Sequence, residues 1–301
     1  MKLATTTSDF APYSQTLEQA LELASQTPFR YLNFEFLRDT TDNEWEARIA
    51  RCARIMREKG LSAVQAHAYS VNPYHPKRDP KSEIETVRRT LAACARLGIK
   101  DAVLHAVFCA QRPYPDGKEE FFETNRHFYT SLFPFMEEYG VNLLIENSAE
   151  QNSNGLYYFM TGAEMSEFLD WVGHPMLKAV WDTGHANMRA ADQEREIRDL
   201  GRHLAAVHIH DNDGHADEHS APFMGTTDFD AVMRGLLAVG FTGPFALECS
   251  SFPLPTGNFH AKRLQFGEAR LAPTVELHRL AETYAYHAGK HILQAYGKFS
   301  E

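Results

Sequence analysis

With 301 residues, 44% of them hydrophobic, the chain suits one large domain built around a sizeable core. Its formal net charge of −10 argues against a nucleic-acid partner, whose binding surface is ordinarily basic. The first ten residues, MKLATTTSDF, lack the apolar stretch of a signal peptide, and the four cysteines, Cys52, Cys94, Cys109 and Cys249, form no CxxC pair. No run reaches the roughly 18 apolar residues of a membrane span, so a cytoplasmic protein without membrane contact is expected.

Short β-branched or aromatic runs place strands near 2–6, 31–36, 62–68, 101–107, 141–146, 178–183, 204–210 and 244–249. Helical spacing fills the intervals. In 43–59 it is carried by Trp45, Ile49, Cys52, Ile55 and Met56, and in 82–98 by Ile84, Val87, Leu91, Cys94 and Leu97. In 228–239 it is carried by Phe229, Val232, Met233, Leu236 and Leu237. Gly60, Gly98, Gly140 and Gly240 sit where helices should end in a left-handed residue. After the eighth strand come a loop, SSFPLPTGNFH, and a helical tail with Leu277, Leu280, Tyr284 and Tyr286. That tail suits a C-terminal helical extension or a contact in a homo-oligomer.

Eight strand–helix units in sequence order predict an α/β fold, a (β/α)₈ TIM barrel formed by residues 1–301 as a single domain. A doubly wound sheet alternates strand and helix in the same way. The barrel is preferred because ligand-type side chains end the later strands: Glu146 after VNLLI, Asp182 after LKAVW, His210 after LAAVHI and Glu248 after TGPFAL. In a barrel those strand ends share one rim, and the four side chains converge as ligands of one divalent ion. Three carboxylates and an imidazole accept Mn²⁺, Co²⁺, Mg²⁺ or Zn²⁺. Strand alternation turns His208 inward together with His210, and His185 reaches the same rim from the loop after Asp182. Glu146 and Glu248 flanking a chelated carbonyl compound suit proton removal beside the carbonyl.

The motifs LLIEN (143–147), WDTGHAN (181–187), HIHDNDG (208–214), DEHSAPFMGTTDFD (217–230) and FALE (245–248) resemble those of the xylose isomerase-like TIM barrels. This superfamily of sugar phosphate isomerases and epimerases also contains the family 2 AP endonucleases. The resemblance implies a metal held by Glu146, Asp182, His210 and Glu248, the two glutamates as the acid/base pair, and His185 on the substrate. From the endonuclease branch it implies further zinc ligands, His67 with His105 and Glu146, and His185 with Asp217 and His219; in sugar enzymes these residues can bind substrate instead. The chain departs from the pattern in two places. APFMGTTDF replaces PGxGxxDF, and Asn152 stands near the position of an additional glutamate in the sugar epimerases.

Other residues bear on the pocket. Glu35 and His208 are candidates for substrate hydroxyls. Tyr69, Tyr74, Phe108 and Tyr114 follow strands three and four, where they can stack on a sugar or pack in loops. His75, Lys77 and Arg78 form the one notable basic cluster of the rim sequence. No Walker loop, dinucleotide fingerprint or GxSxG occurs. The expected function is metal-dependent isomerisation or epimerisation of a small carbohydrate: a sugar, a sugar phosphate or a related polyol ketone. The alternatives are a multi-zinc phosphodiesterase or AP endonuclease, an enolate-type dehydratase, and a non-catalytic sugar- or metal-binding barrel.

Overall fold

A computed structural model describes residues 1–36, 39–107, 112–153, 155–249 and 273–300. The loop SSFPLPTGNFH, Phe108 and Cys109 therefore lie outside the described residues. Eight parallel strands close into a barrel in sequence order. They are β1 (Leu3–Thr6), β2 (Tyr31–Glu35), β3 (Ser62–His67), β4 (Asp101–Val103), β5 (Asn142–Glu146), β6 (Leu177–Asp182), β7 (Leu204–Ile209) and β8 (Phe245–Leu247). The seam is sealed by β1 on β8, with Leu3 opposite Phe245.

The helices surround the barrel: α1 (Leu17–Ala24), α2 (Trp45–Lys59), α3 (Pro80–Leu97), α4 (Lys118–Tyr139), α5 (Gly162–Val172), α6 (Thr183–Met188), α7 (Gln193–Leu200), α8 (Phe229–Ala238) and α9 (Val275–Ala295). Their starts are written locally. Thr16, Asp79, Thr161, Asp192, Asp228 and Thr274 each accept a bond from a first-turn N–H. Gly60, Gly98 and Gly140 end α2, α3 and α4 with φ of 67°, 75° and 62°. Of the apolar stripes read from sequence, Ile49, Cys52, Val87, Leu91, Val232 and Leu236 are buried, whereas Leu237 is exposed.

Two layers of the barrel interior position the site. Val103, Leu144, Val180 and Ala206, all fully buried, form an apolar cluster separate from the main core. Two residues further along the same strands, where the side chain again points inward, stand His105, Glu146, Asp182 and His208. An apolar plug thus supports a polar rim. The fourth strand is shorter than its sequence suggests: it ends at Val103, and His105 lies just beyond it.

Candidate metal centre

Three groups of potential ligands adjoin one another at the rim. The inner group is Glu146, Asp182, His208 and Glu248. The outer group is His185, His210, Asp217 and His219, and the third is His67, His105 and Glu146. Within each group the ligand atoms lie within 4.8 Å of one another. The grouping differs from the one expected from the sequence in one residue. The imidazole that joins the three carboxylates is His208, while His210, one residue past β7, belongs with the outer group. The cause is barrel stagger. Asp182 is in register with His208, so His210, the next inward position just past β7, stands one level above it.

Shared carboxylates connect the groups. Glu146 places Oε1 2.7 Å from His208 Nδ1 and Oε2 3.6 Å from both His67 Nε2 and His105 Nδ1. Asp182 Oδ1 accepts the His185 backbone N–H at 2.7 Å, which caps α6, and lies 3.0 Å from His210 Nε2. Glu248 Oε1 accepts from Asn33 Nδ2 at 2.9 Å and stands 3.3 Å from His208 Nε2.

Three histidines are oriented alike. His67, His185 and His219 turn Nδ1 to the backbone carbonyls of Ala68, Asn147 and Glu248 at 3.0, 2.8 and 2.9 Å. Each then aims Nε2 at a carboxylate. Nδ1–H donation to a carbonyl fixes the tautomer and leaves Nε2 as the donor atom for a cation, the usual arrangement around metal-bound imidazoles.

The electrostatics show what a cation would replace. Burial opposes charge on His67, but Glu35, Glu146 and Glu248 outweigh it and raise its pKa to about 10. His219 rises to about 10 against burial because of Asp217, and His185 rises well above its usual range through Asp182 and Asp217. Burial brings His105 down to about 4. Glu146 stays well below the usual carboxylate range despite burial, held there by His208 and His105. Protons on the imidazoles therefore balance the carboxylates.

That balance leaves polar atoms unsatisfied. Glu146 Oε2, Asp182 Oδ2, Asp217 Oδ1 and both ring nitrogens of His210 are buried without a hydrogen-bond partner. Each such atom costs on the order of 1–3 kcal/mol, and more for a charged group. Their concentration on adjoining ligand groups fits a divalent cation coordinated there.

Some functional neighbours escaped the sequence reading. Gln65 Nε2 lies 2.6 Å from His208 Nε2, Tyr158 Oη lies 2.6 Å from His105 Nδ1, and Asn147 receives the Asp182 N–H at 2.7 Å. Asn33 and Gln65 were detectable, since each lies two residues before a rim candidate, Glu35 or His67. Tyr158 lies in a loop with no such periodicity. Asn152 uses its amide to bond Asp217 Oδ2 at 2.8 Å. In the APFMGTTDF turn the retained glycine has a steric reason, because a Cβ on Gly225 would sit 2.1 Å from the Asn212 carbonyl oxygen. Asp211 holds that turn through the N–H groups of Gly225 and Thr227.

The rim opens into a chamber of about 950 Å³ bordered by Glu35, Tyr69, His105 and Tyr158, with Glu146, His185, Asp217, His219 and Glu248 of the ligand groups. Arg78, the member of the basic cluster that borders it, donates to Glu83 at 2.9 Å. Tyr74 is exposed, and Tyr114 packs on Tyr157 with ring centroids 5.1 Å apart.

A family profile described as xylose isomerase-like TIM barrel matches residues 21–268. The chain is 23% identical over 260 residues to the uncharacterized protein y4fM of Sinorhizobium fredii, spanning 78% of this chain and 82% of that one. A solved structure of D-psicose 3-epimerase with D-tagatose, from Clostridium cellulolyticum, is similar with a TM-score of 0.74 at 16% identity, over 97% of this chain and 99% of that one. The IolI protein with a bound zinc atom gives a TM-score of 0.69 at 20% identity and covers 100% of both chains. At these identities the structural likeness establishes the shared barrel.

Proposed function

The chain belongs to the xylose isomerase-like TIM barrel family, and from that premise we propose that it is a divalent-metal-dependent isomerase or epimerase of a sugar, sugar phosphate or related polyol ketone. The carrying observation is the inner group, in which Glu146 and Glu248 meet beside Asp182 and His208 with buried acceptor atoms left over. Glu146, Asp182, His208 and Glu248 would hold the ion. When bound, a divalent ion there polarises a chelated carbonyl and stabilises charge developing on its oxygen.

The chain's residues supply the remainder. Glu146, anionic because His208 and His105 stabilise its charge, and Glu248, anchored by Asn33, are the two carboxylates positioned to remove and return the proton beside the carbonyl. Glu35 and His185 border the chamber and can orient substrate hydroxyls. Similarity to a D-psicose 3-epimerase supports the sugar assignment, and similarity to a zinc-containing barrel supports the metal.

A hydrolytic reading has one observation in its favour: all three ligand groups adjoin, as a multi-zinc phosphodiesterase requires. Against it stand the net charge of −10 and the engagement of Arg78 by Glu83. The deciding experiment offers ketoses, ketose phosphates and cyclic polyol ketones in deuterated water with Mn²⁺ or Co²⁺. At least one substrate should gain deuterium beside its carbonyl. Glu146→Gln and Glu248→Gln should each abolish that uptake, with metal content measured in parallel. No uptake across the panel, together with zinc-dependent incision of an abasic duplex that Asp217→Ala removes, would move the assignment to hydrolysis.

A further inference from the structure

His208 brings two ring nitrogens to the inner group, and their surroundings differ. Nδ1 faces Glu146 Oε1 at 2.7 Å. Nε2 faces the Gln65 amide, whose nitrogen is 2.6 Å away, and stands 3.3 Å from Glu248 Oε1. That glutamate oxygen is itself engaged, since it accepts from Asn33 Nδ2 at 2.9 Å. Asn33 and Gln65 are register partners on β2 and β3, and both are fully buried. The two amides therefore close the side of the inner group where His208 Nε2 and Glu248 Oε1 meet. On the side where Nδ1 meets Glu146, the carboxylates keep spare acceptors: Glu146 Oε2 and Asp182 Oδ2 are buried without a partner.

An imidazole nitrogen bonds in a single in-plane direction, through either a lone pair or an N–H. At 2.6 Å Gln65 occupies that direction of His208 Nε2 in both cases. As it stands, the amide donates to a lone pair. A half-turn about its last torsion exchanges its nitrogen for Oε1, an atom buried without a partner, and the amide then accepts an N–H. His208 Nε2 is closed to a cation in either arrangement, and Nδ1 is the atom left. Its separation from Glu146 Oε1 suits neighbouring ligands, since two atoms bound at right angles to one ion at about 2.1 Å lie about 3 Å apart.

The position of His208 explains why a side chain takes this part. His67, His185 and His219 turn Nδ1 to nearby backbone carbonyls and keep Nε2 for a ligand. His208 lies inside β7, whose backbone pairs with β6 on one side and β8 on the other. Its partner comes instead from β3, the strand opposite β7 in the closed barrel.

Building on the metal-centred reading of the inner group, we propose that Gln65 is a positioning residue: it engages His208 Nε2 and thereby assigns Nδ1 to the ion. The inner group then binds through the opposite ring nitrogen from that offered by His67, His185 and His219. A cation held by Nδ1 leaves the ring proton on Nε2, where the turned Gln65 amide accepts its hydrogen bond. The tautomer that binds metal is thus the one that Gln65 stabilises.

Protein labelled with ¹⁵N-histidine and saturated with Zn²⁺ tests this directly. Long-range ¹H–¹⁵N spectra distinguish a ring nitrogen that carries a proton from one that carries a metal, and the His208 signals are identified by their loss in His208→Asn. The expected pattern is zinc on Nδ1 and a proton on Nε2. Gln65→Leu, which neither donates nor accepts, should lower Mn²⁺ affinity in titration calorimetry by about 10–100-fold. Gln65→Glu keeps an acceptor, so it should retain the Nδ1 pattern and hold Mn²⁺ more tightly than Gln65→Leu. Urea unfolding of each variant separates loss of binding from loss of fold, and the wild-type spectrum decides even if Gln65→Leu does not fold. Zinc on Nε2, or on neither ring nitrogen of His208, overturns the proposal and leaves the isomerase or epimerase reading standing. Wild-type Mn²⁺ affinity in folded Gln65→Leu does the same. Protein that binds no divalent ion overturns both.

Discussion

The inner ligand group sets three carboxylates around one imidazole, Glu146, Asp182 and Glu248 with His208, whereas the outer group sets three imidazoles around one carboxylate, His185, His210 and His219 with Asp217. They adjoin where Asp182 Oδ1 lies 3.0 Å from His210 Nε2. Their supports differ too. The inner group is braced by amide side chains on neighbouring strands, Asn33 and Gln65, whereas the outer group leans on loop carbonyls and on ring stacking of His210 with His219, 3.9 Å between centroids. An oxygen-rich set accepts hard ions such as Mg²⁺ and Mn²⁺, and an imidazole-rich set prefers Zn²⁺ or Co²⁺. One barrel mouth thus presents two different sets of potential ligands on a common wall, and a metal suited to one set need not suit the other.

The sharpest way to break this contrast is to remove one imidazole from each side. His208→Ala should weaken Mn²⁺ binding by more than about 100-fold, the upper range seen when only a ligand's supporting partner is lost. His210→Ala should leave Mn²⁺ affinity near wild type and reduce zinc uptake instead. Titration calorimetry with each metal on both variants measures this, and equal loss of Mn²⁺ in the two would erase the distinction between the groups.

A smaller change probes the outer side through packing. A Cβ on Gly184 would stand 1.9 Å from His210 Cε1, so Gly184→Ala must displace that ring. Zinc affinity should fall by about tenfold, within the range for disturbed ligand support. Deuterium uptake through the inner pair should change less. Zinc binding at wild-type strength in this variant would remove His210 from the outer set.

A further test calibrates the pH response of the barrel away from both groups. Glu164 receives the Met160 N–H and the Tyr157 hydroxyl, and burial raises its pKa to about 7. Its unfolded value is about 4.3, so the folded state holds the proton more tightly. The resulting stability is fully present below about pH 4.3, declines as pH rises toward 7 and is flat above, a change on the order of 4 kcal/mol at most. Glu164→Gln should flatten that part of the stability profile in urea unfolding measured between pH 5 and 8. Parallel profiles for variant and wild type would show that the slope arises elsewhere, including at the rim.

Much of this architecture was legible because it is local. Strand alternation, helix stripes and cap residues are written within a few positions, and the strands fall within a few residues of their expected bounds. The rim residues were legible as types at strand ends. Their grouping was not, since the height of a side chain in the barrel depends on the stagger between neighbouring strands, which no single strand encodes. That is why His210 was placed where His208 stands, and why Gln65 went unnoticed beneath His67. Tyr158 reaches His105 from a loop, a contact made by tertiary packing alone.

Glu146 belongs to two of the three ligand groups, one oxygen facing His208 and the other facing His67 and His105. A cation drawn to either face would withdraw electron density from the carboxylate and leave less negative charge for the other. The two faces are therefore thermodynamically linked: whatever factor a first ion imposes on the affinity for a second, the second must impose in equal measure on the first. Occupancy of the mouth is then a joint property of its faces, and a binding constant measured for one holds only at a stated filling of the other.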